Sequence, residues 1–516
     1  MNGAESLIRT LVAGGVEVCF TNPGTSEMHI VAALDRVTKM RCVLGLFEGV
    51  VTGAADGYAR MAAKPACTLL HLGPGLANGV ANLHNASRAQ VPLINIVGQH
   101  AIYHLRHDAP LTSDIEAIAR PYSKWLRTSS ATSALGRDAA DAIVAARTAP
   151  GQIATLIVPA DVAWSDGGAI AAIPSVPRAP VPLAQAVDRA ASMLRSGLPT
   201  AFLLTGDALY GEGLQLAGRI AAATNASLLA PYPVARLERG AGLPKVQRIP
   251  YVLGQAVEFM KDIRNLILVG ATPPVSYFAY PGKSSEMASP QCEIHPLAKP
   301  GEDYVGALEA LASAMSLDKN ATLAAVAKAE RPPDPTGEIT LQGLAAAIAA
   351  VLPENSIVVD EAMTSGRGIM AATAGAPPHD WLGNTGGSIG IGLPLAVGAA
   401  VACPNRRVLC FTADGSTMYT PQGLWTMARE GLNVTTVLFA NRTYAVLQME
   451  FAGLGVGAPG PRAAELFDIG HPSLDWVQLS QGMGVPAVRV TTLDDFVKAL
   501  KAGFESNGPT LIEVPL

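Results

Sequence analysis

Charge is scarce in this sequence. Only 15% of its 516 residues are Asp, Glu, Lys or Arg, against 49% hydrophobic residues. The net charge of −5 and pI near 6.0 argue against nucleic acid or an anionic membrane as partner. So little charge on so apolar a chain points to surface buried between subunits. Cysteine is sparse too. Six are present (Cys19, Cys42, Cys67, Cys292, Cys403 and Cys410), none in C-x-x-C or C-x-x-x-C spacing. That excludes a disulfide framework and suits reduced thiols in the cytosol. Long apolar runs are missing as well: "AAAIAAVL" and "LPLAVGAAVAC" stop short of the roughly 20 residues a bilayer span needs. The N-terminus has no apolar core of the signal-peptide kind, so a soluble, cytoplasmic protein is expected. No solenoid-type repeat is visible. The first strand runs into "VCFTNPGTSE" rather than G-x-G-x-x-G, which argues against a dinucleotide-dependent dehydrogenase.

What is abundant is glycine (51) and proline (38), set among short apolar runs. The length implies two to four domains. Helical and strand patterns alternate from the start: "SLIRTLVAGG" has helical spacing, "VEVCFTNPG" reads as a strand, "RCVLGLFEG" as another, then the helix "VVTGAADGYARMA". Such alternation predicts parallel sheets covered on both faces. The stretches 165–182 and "AERPPDPTGEIT" near 330 read as linkers. The expected fold is α/β, with three consecutive parallel-sheet domains at 1–165, 180–330 and 336–516.

The third unit places oxygen ligands at two strand ends. "RVLCFTAD" closes on Asp414 and "VTTVLFAN" on Asn441. In open parallel sheets ligands bind beyond the carboxyl ends of the strands, so both side chains are expected in one crevice. A carboxylate and an amide oxygen suit a hard divalent cation, which fills its shell with substrate phosphate and water. The Gly415-Ser416 turn would offer N–H groups to an anion. Singly, each residue reads equally well as a helix cap or a turn residue.

Together, this segment resembles the signature of thiamine-diphosphate-dependent enzymes of the acetolactate synthase and benzoylformate decarboxylase type: G-D-G, then N-N some two dozen residues on. Ala413 and Ala440 replace the first residue of each pair. The resemblance implies Mg²⁺ on Asp414, Asn441 and the Thr443 carbonyl, and diphosphate on Gly415, Ser416 and the hydroxyls of Thr364 and Ser365 in "EAMTSG". "NTGGSIGIGLPLAVGAA" (384–400) is similar to the family's Gly-rich segment; it puts Gly387 at the cofactor and Ile389 where a bulky apolar residue keeps thiamine diphosphate bent. Tyr444 is implied as a further cofactor contact.

The first unit carries the matching half. "LGLFEGVVTGAADGYAR" (44–60) resembles the segment bearing the acid that protonates the aminopyrimidine, with Glu48 closing the strand "CVLGLFE" in that position. "TNPGTSE" (21–27) and "HLGPGLANGVANLHNA" (71–86) resemble loops lining the pyrimidine and substrate pocket, implying roles for Thr25, His71 and Asn78. Thr25 stands where benzoylformate decarboxylase has a catalytic serine, and His71 where it has a catalytic histidine; acetolactate synthases lack that histidine. Where a second histidine is expected, "PPVSYFAYPG" (273–282) offers Tyr277 or Phe278. Gln448 and Glu450 follow the metal segment and are expected in the substrate pocket, the acid disfavouring a second anionic substrate. His84, His104 and His107 read as surface or supporting residues.

The family joins its acid and its diphosphate site across subunits, so a homodimer or homotetramer is implied. The activity implied is decarboxylation of a 2-oxo acid. An acetolactate-synthase-like carboligase and a catalytically silent cofactor-binding paralogue are the alternatives. Flavin is not expected.

Overall fold

The computed structural model describes residues 1–317 and 326–516. Three sheets carry the fold. The first has six strands in the order Arg41–Leu44, Val18–Asn22, Ala66–Leu70, Leu93–Gln99, Ile153–Pro159, Trp125–Thr128, every neighbouring pair parallel. The second runs Val246–Arg248, Ser227–Ala230, Thr200–Leu204, Asn265–Val269, Glu293–Ala298, also parallel. The third has seven strands: Ala487–Arg489, Thr510–Pro515, Val434–Ala440, Val408–Ala413, Ile357–Glu361, His379–Gly383 and Leu237–Arg239. The α/β parallel architecture is therefore as the alternation of patterns predicts, because strands buried on both faces read as continuous apolar runs.

Two details depart from the sequence expectation. Leu237–Arg239 comes from the middle stretch of chain yet pairs antiparallel with His379–Gly383 at the edge of the third sheet. Three residues are too few for a period-2 signal. The strand containing "CVLGLFE" stops at Leu44, and Glu48 does not close it but opens the helix Glu48–Ala62. Residues 167–182 and 328–336 carry no regular element; we propose that they separate the three units.

Helix Glu48–Ala62 of the first unit lies directly on helix Gly392–Ala402 of the third. Glycines permit the approach: a Cβ on Gly398 would sit 1.9 Å from the Ala54 carbonyl oxygen, and one on Gly57 2.2 Å from that of Leu395. Arg60, on the same helix, is buried with Asp56 in a 2.7 Å ion pair. It also donates to the carbonyls of Ala235 (3.1 Å) and Gly383 (2.7 Å), so one guanidinium joins all three units.

Candidate active site

The first half of the site sits at the carboxyl ends of two neighbouring strands of the first sheet. Strand Val18–Asn22 ends on Asn22, whose Nδ2 donates to Glu48 Oε1 at 3.2 Å. Asn78, on helix Leu72–Ala89, donates to Glu48 Oε2 at 2.9 Å. Glu48 is thus a buried carboxyl with one amide on each oxygen. Each amide points an N–H donor at one oxygen, so the carboxyl is held in a fixed orientation.

His71 follows strand Ala66–Leu70 at the same edge. Its Nδ1 lies 2.8 Å from Oε2 of Glu27, which is fully buried, and 3.1 Å from Ser26 Oγ. Ser26 Oγ donates to Glu27 Oε1 at 2.8 Å, and the Gly24 N–H to Oε2 at 2.9 Å. Glycine at position 98 makes room, since a Cβ there would lie 1.7 Å from Glu27 Oε1. With Nδ1 committed to Glu27, Nε2 is the nitrogen left to exchange a proton. Thr25 is exposed on the preceding turn; Ser26, not Thr25, faces the imidazole. Leu72, next to His71, has φ +50°, in the left-handed region a bulky side chain rarely adopts, and such strain clusters at functional sites.

The second half lies on the third sheet. Strands Val408–Ala413 and Val434–Ala440 run parallel with Ala413 opposite Phe439, which brings Asp414 and Asn441 to the same sheet edge. Asp414 is buried, and burial raises its carboxyl pKa even though the N–H groups of Arg442 (2.7 Å) and Gly415 (2.9 Å) oppose the rise. Asn441 Oδ1 accepts the Thr443 N–H at 3.2 Å. Arg442, between them, is left-handed at φ +57°. Gly415 thus turns its N–H onto Asp414 rather than into open space. A Cβ on Gly415 would fall 2.7 Å from the Tyr444 ring, so that aromatic roofs the turn; Ser416 is buried beside it. Thr364 and Ser365 follow strand Ile357–Glu361, which pairs with Val408–Ala413, and so reach the same edge.

The Gly-rich turn is fastened by a residue that no motif marks. Glu361, 2% exposed, accepts the N–H groups of Gly390 (2.7 Å), Ile391 (3.1 Å) and Gly392 (2.6 Å). Burial pushes its carboxyl up to about 7, outweighing those three donors. The turn so held presents Ile389, half-buried, between Gly387 (φ +76°) and Gly390 (φ +91°). Tyr277 lies against it, 3.5 Å from where a Gly387 Cβ would be.

Gln448 and Glu450 ride on helix Ala445–Gly453. Gln448 Nε2 donates to Thr443 Oγ1 at 2.8 Å. Glu450 is not the open acid that the sequence suggests: Tyr251 donates to Oε1 at 2.9 Å and Tyr280 to Oε2 at 2.8 Å. Burial raises both phenols, Tyr280 to about 12, with Glu450 adding to each shift. Tyr251, Tyr277 and Tyr232 pack edge-on or tilted at centroid separations of 5.2–6.3 Å, an aromatic wall from the middle unit facing the third. Ser26, Glu27, Asn22, Glu361, Tyr251 and Tyr280 carry no local pattern of their own. Only the segments "TNPGTSE", "EAMTSG" and "PPVSYFAYPG", which contain five of them, pointed to the neighbourhood.

An acid held by amides sits at the edge of one sheet, and a carboxylate–amide pair, a donor set suited to a hard cation, at the edge of another. Residues 1–118 match the family described as "Thiamine pyrophosphate enzyme, N-terminal TPP binding domain", and residues 366–514 its "C-terminal TPP binding domain". The chain is 53% identical, over its whole length and 99% of the relative's, to a Mycobacterium tuberculosis protein named "Putative acetolactate synthase large subunit IlvX". It is 28% identical to "Benzoylformate decarboxylase" of Pseudomonas aeruginosa, across 97% of this chain and 96% of the other. Its fold matches a Rhodococcus jostii RHA1 thiamine-diphosphate-dependent 4-hydroxybenzoylformate decarboxylase with TM-score 0.85 at 23% identity, covering 100% of this chain and 99% of that one. The chain belongs to the thiamine-diphosphate-dependent enzymes of the acetolactate synthase and benzoylformate decarboxylase family.

The residues present fit that cofactor and its metal. Asp414 uses two acceptor positions on backbone N–H groups and keeps others for a cation, and Asn441 adds a neutral oxygen. Among the described residues no group of three or more His, Cys, Asp or Glu is placed to hold a metal. No helix among them is long and apolar enough to cross a membrane.

Proposed function

We propose that this protein is a thiamine-diphosphate- and Mg²⁺-dependent 2-oxo acid decarboxylase of the benzoylformate decarboxylase type, working in the cytoplasm as a homodimer or homotetramer. The observation that carries the reading is His71, an imidazole oriented by a buried carboxylate next to the amide-held Glu48. When bound, the cofactor supplies the electron sink for loss of CO₂. Asp414, Asn441 and the Thr443 carbonyl hold the metal. Thr364, Ser365 and Ser416 hold the diphosphate, Gly415 steadies Asp414 beside it, and Gly387, Ile389 and Tyr444 hold the rings. Glu48 shares its proton with the aminopyrimidine. Glu27 fixes Nδ1 of His71, so that Nε2 donates and accepts the proton at the substrate. Gln448 and the Glu450–tyrosine clamp shape the far wall of the substrate pocket.

Assembly is supported by apolar exposure at both halves. Leu46 (47% exposed) lies two residues before Glu48, and Met418 (48%) and Tyr419 (54%) follow Asp414. Such residues beside a polar site mark a surface that a second copy covers. Six free cysteines suit a reducing compartment.

A second reading, a carboligase joining two 2-oxo acids, is favoured by the 53% identical relative named as an acetolactate synthase subunit. Purified protein supplied with thiamine diphosphate, Mg²⁺ and a panel of 2-oxo acids separates the outcomes when CO₂ and products are identified. An aldehyde as sole organic product supports the decarboxylase, and a hydroxy-oxo acid the carboligase. Retained cofactor without turnover would leave the silent paralogue.

A further inference from the structure

Three histidines outside the site form a ladder leading away from it. Strand Leu93–Gln99 pairs with Ala66–Leu70, so His100 emerges at the same sheet edge as His71. The 3₁₀ segment Ile102–His107 follows. At three residues per turn, positions i and i+3 eclipse, which stacks His104 above His107. The ring centroids are 5.4 Å apart for His100–His104 and 5.5 Å for His104–His107. His100 Nε2 is buried without a hydrogen-bond partner, whereas His107 is exposed. The loop beyond folds back onto the turn after His71: a Cβ on Gly73 would meet Ser113 Oγ at 1.9 Å.

We propose that His107, His104 and His100 form a proton relay that refills His71 from solvent. The proposal rests on the reading that the protein turns over a 2-oxo acid. Decarboxylation of a 2-oxo carboxylate to an aldehyde and CO₂ consumes one proton, and so does joining two such acids with loss of one CO₂; either outcome draws on the relay. Each imidazole takes a proton on one ring nitrogen and releases one from the other, so that one solvent proton is delivered per turnover with no change of oxidation state. Centroid separations near 5.5 Å are spanned by one ring rotation or one water. The charged groups facing the ladder are Glu27 and His71 at its inner end, Asp161, whose Oδ1 accepts the Ile102 N–H at 3.0 Å, and Arg106, Nε of which lies 3.4 Å from His107 Nε2, with Asp108 beyond. Burial, then the charges of His104 and His71, lower the pKa of His100, which favours passing a proton on over keeping it.

The test uses the cofactor-loaded enzyme with whichever acid of the panel it turns over. H104Q is expected to lower kcat about tenfold, a fraction of what a general acid supplies, with KM unchanged and the solvent deuterium isotope effect raised. Added imidazole is expected to restore the rate. H107Q, at an exposed position, gives the same pattern more weakly and guards against misfolding of the first variant. Wild-type kcat, pH profile and isotope effect in both variants would overturn the relay. Hydrogen exchange at the imidazole C2 positions, read by mass spectrometry, gives a measure independent of turnover: His100 should titrate higher in H104Q. If the wild type turns over no acid, the functional reading fails. The relay falls with it, having no proton to deliver, whereas in an enzyme that turns over, an unshifted His100 sinks the relay alone.

Discussion

Glu361 carries the Gly-rich turn on three backbone donors, an arrangement that a neutral amide cannot copy. In E361Q one side-chain oxygen becomes an NH₂ aimed at N–H groups, so at least one of Gly390, Ile391 and Gly392 loses its acceptor. A buried unsatisfied donor costs about 1–3 kcal/mol. The pH dependence has a definite sign. The folded-state pKa is raised from 4.5 to about 7, so the stability this group contributes is full below pH 4.5 and is lost as pH rises towards 7. Chemical unfolding at pH 5 and pH 7.5 should therefore show a wider gap between wild type and E361Q at the lower pH. Glu450 makes a second prediction at this scale. With both oxygens bound to tyrosines, its role is to hold helix Ala445–Gly453 against the middle unit. The Y251F/Y280F variant, which leaves the acid untouched, should change the ranking of 2-oxo acids as E450Q does. If E450Q alone changes it, the open-acid reading returns.

Helix Glu48–Ala62 starts at the site and ends on Arg60, and its middle is set by glycine. Because a Cβ at 398 would lie 1.9 Å from the Ala54 carbonyl, G398V must push the helices apart. Overpacking of this kind costs about 1–3 kcal/mol. The displacement acts at the middle of Glu48–Ala62 and shifts the helix that carries Glu48, so the variant should retain less thiamine diphosphate after gel filtration while keeping its circular dichroism. Much of this element was legible in the sequence. "VVTGAADGYARMA" reads as a helix, and the resemblance of residues 44–60 to the acid-bearing segment located Glu48. The boundary was not. Strand Arg41–Leu44 runs through a short apolar connection into the helix, and "GLF" gives no turn signal.

At the scale of the molecule, Arg60 is the point where side chain and backbone from three stretches of the chain meet. R60M removes the charge that compensates buried Asp56 and strips donors from Ala235 and Gly383, a loss of about 3–5 kcal/mol. Burial already raises the Asp56 carboxyl, with Arg60 opposing. Without Arg60 the ionised form is uncompensated, so the destabilisation should ease as pH falls and Asp56 protonates; urea midpoints at pH 5 and 7 check this.

The sequence by itself determined the α/β class and the strand ends bearing Asp414 and Asn441, while its resemblance to the family pointed to the segments bearing Glu48 and His71. These are local facts: an apolar run, the oxygen that ends it, a glycine turn after it. What the tertiary structure decided are contacts between distant residues, such as Glu27 on His71 across 44 positions, Glu450 on Tyr251 across 199 and Arg60 on Gly383 across 323. Periodicity reports which side of an element faces inward, and it holds nothing about which partner waits there. That is why Ser26 rather than Thr25 faces the imidazole, and why an acid expected to be open is held by two phenols.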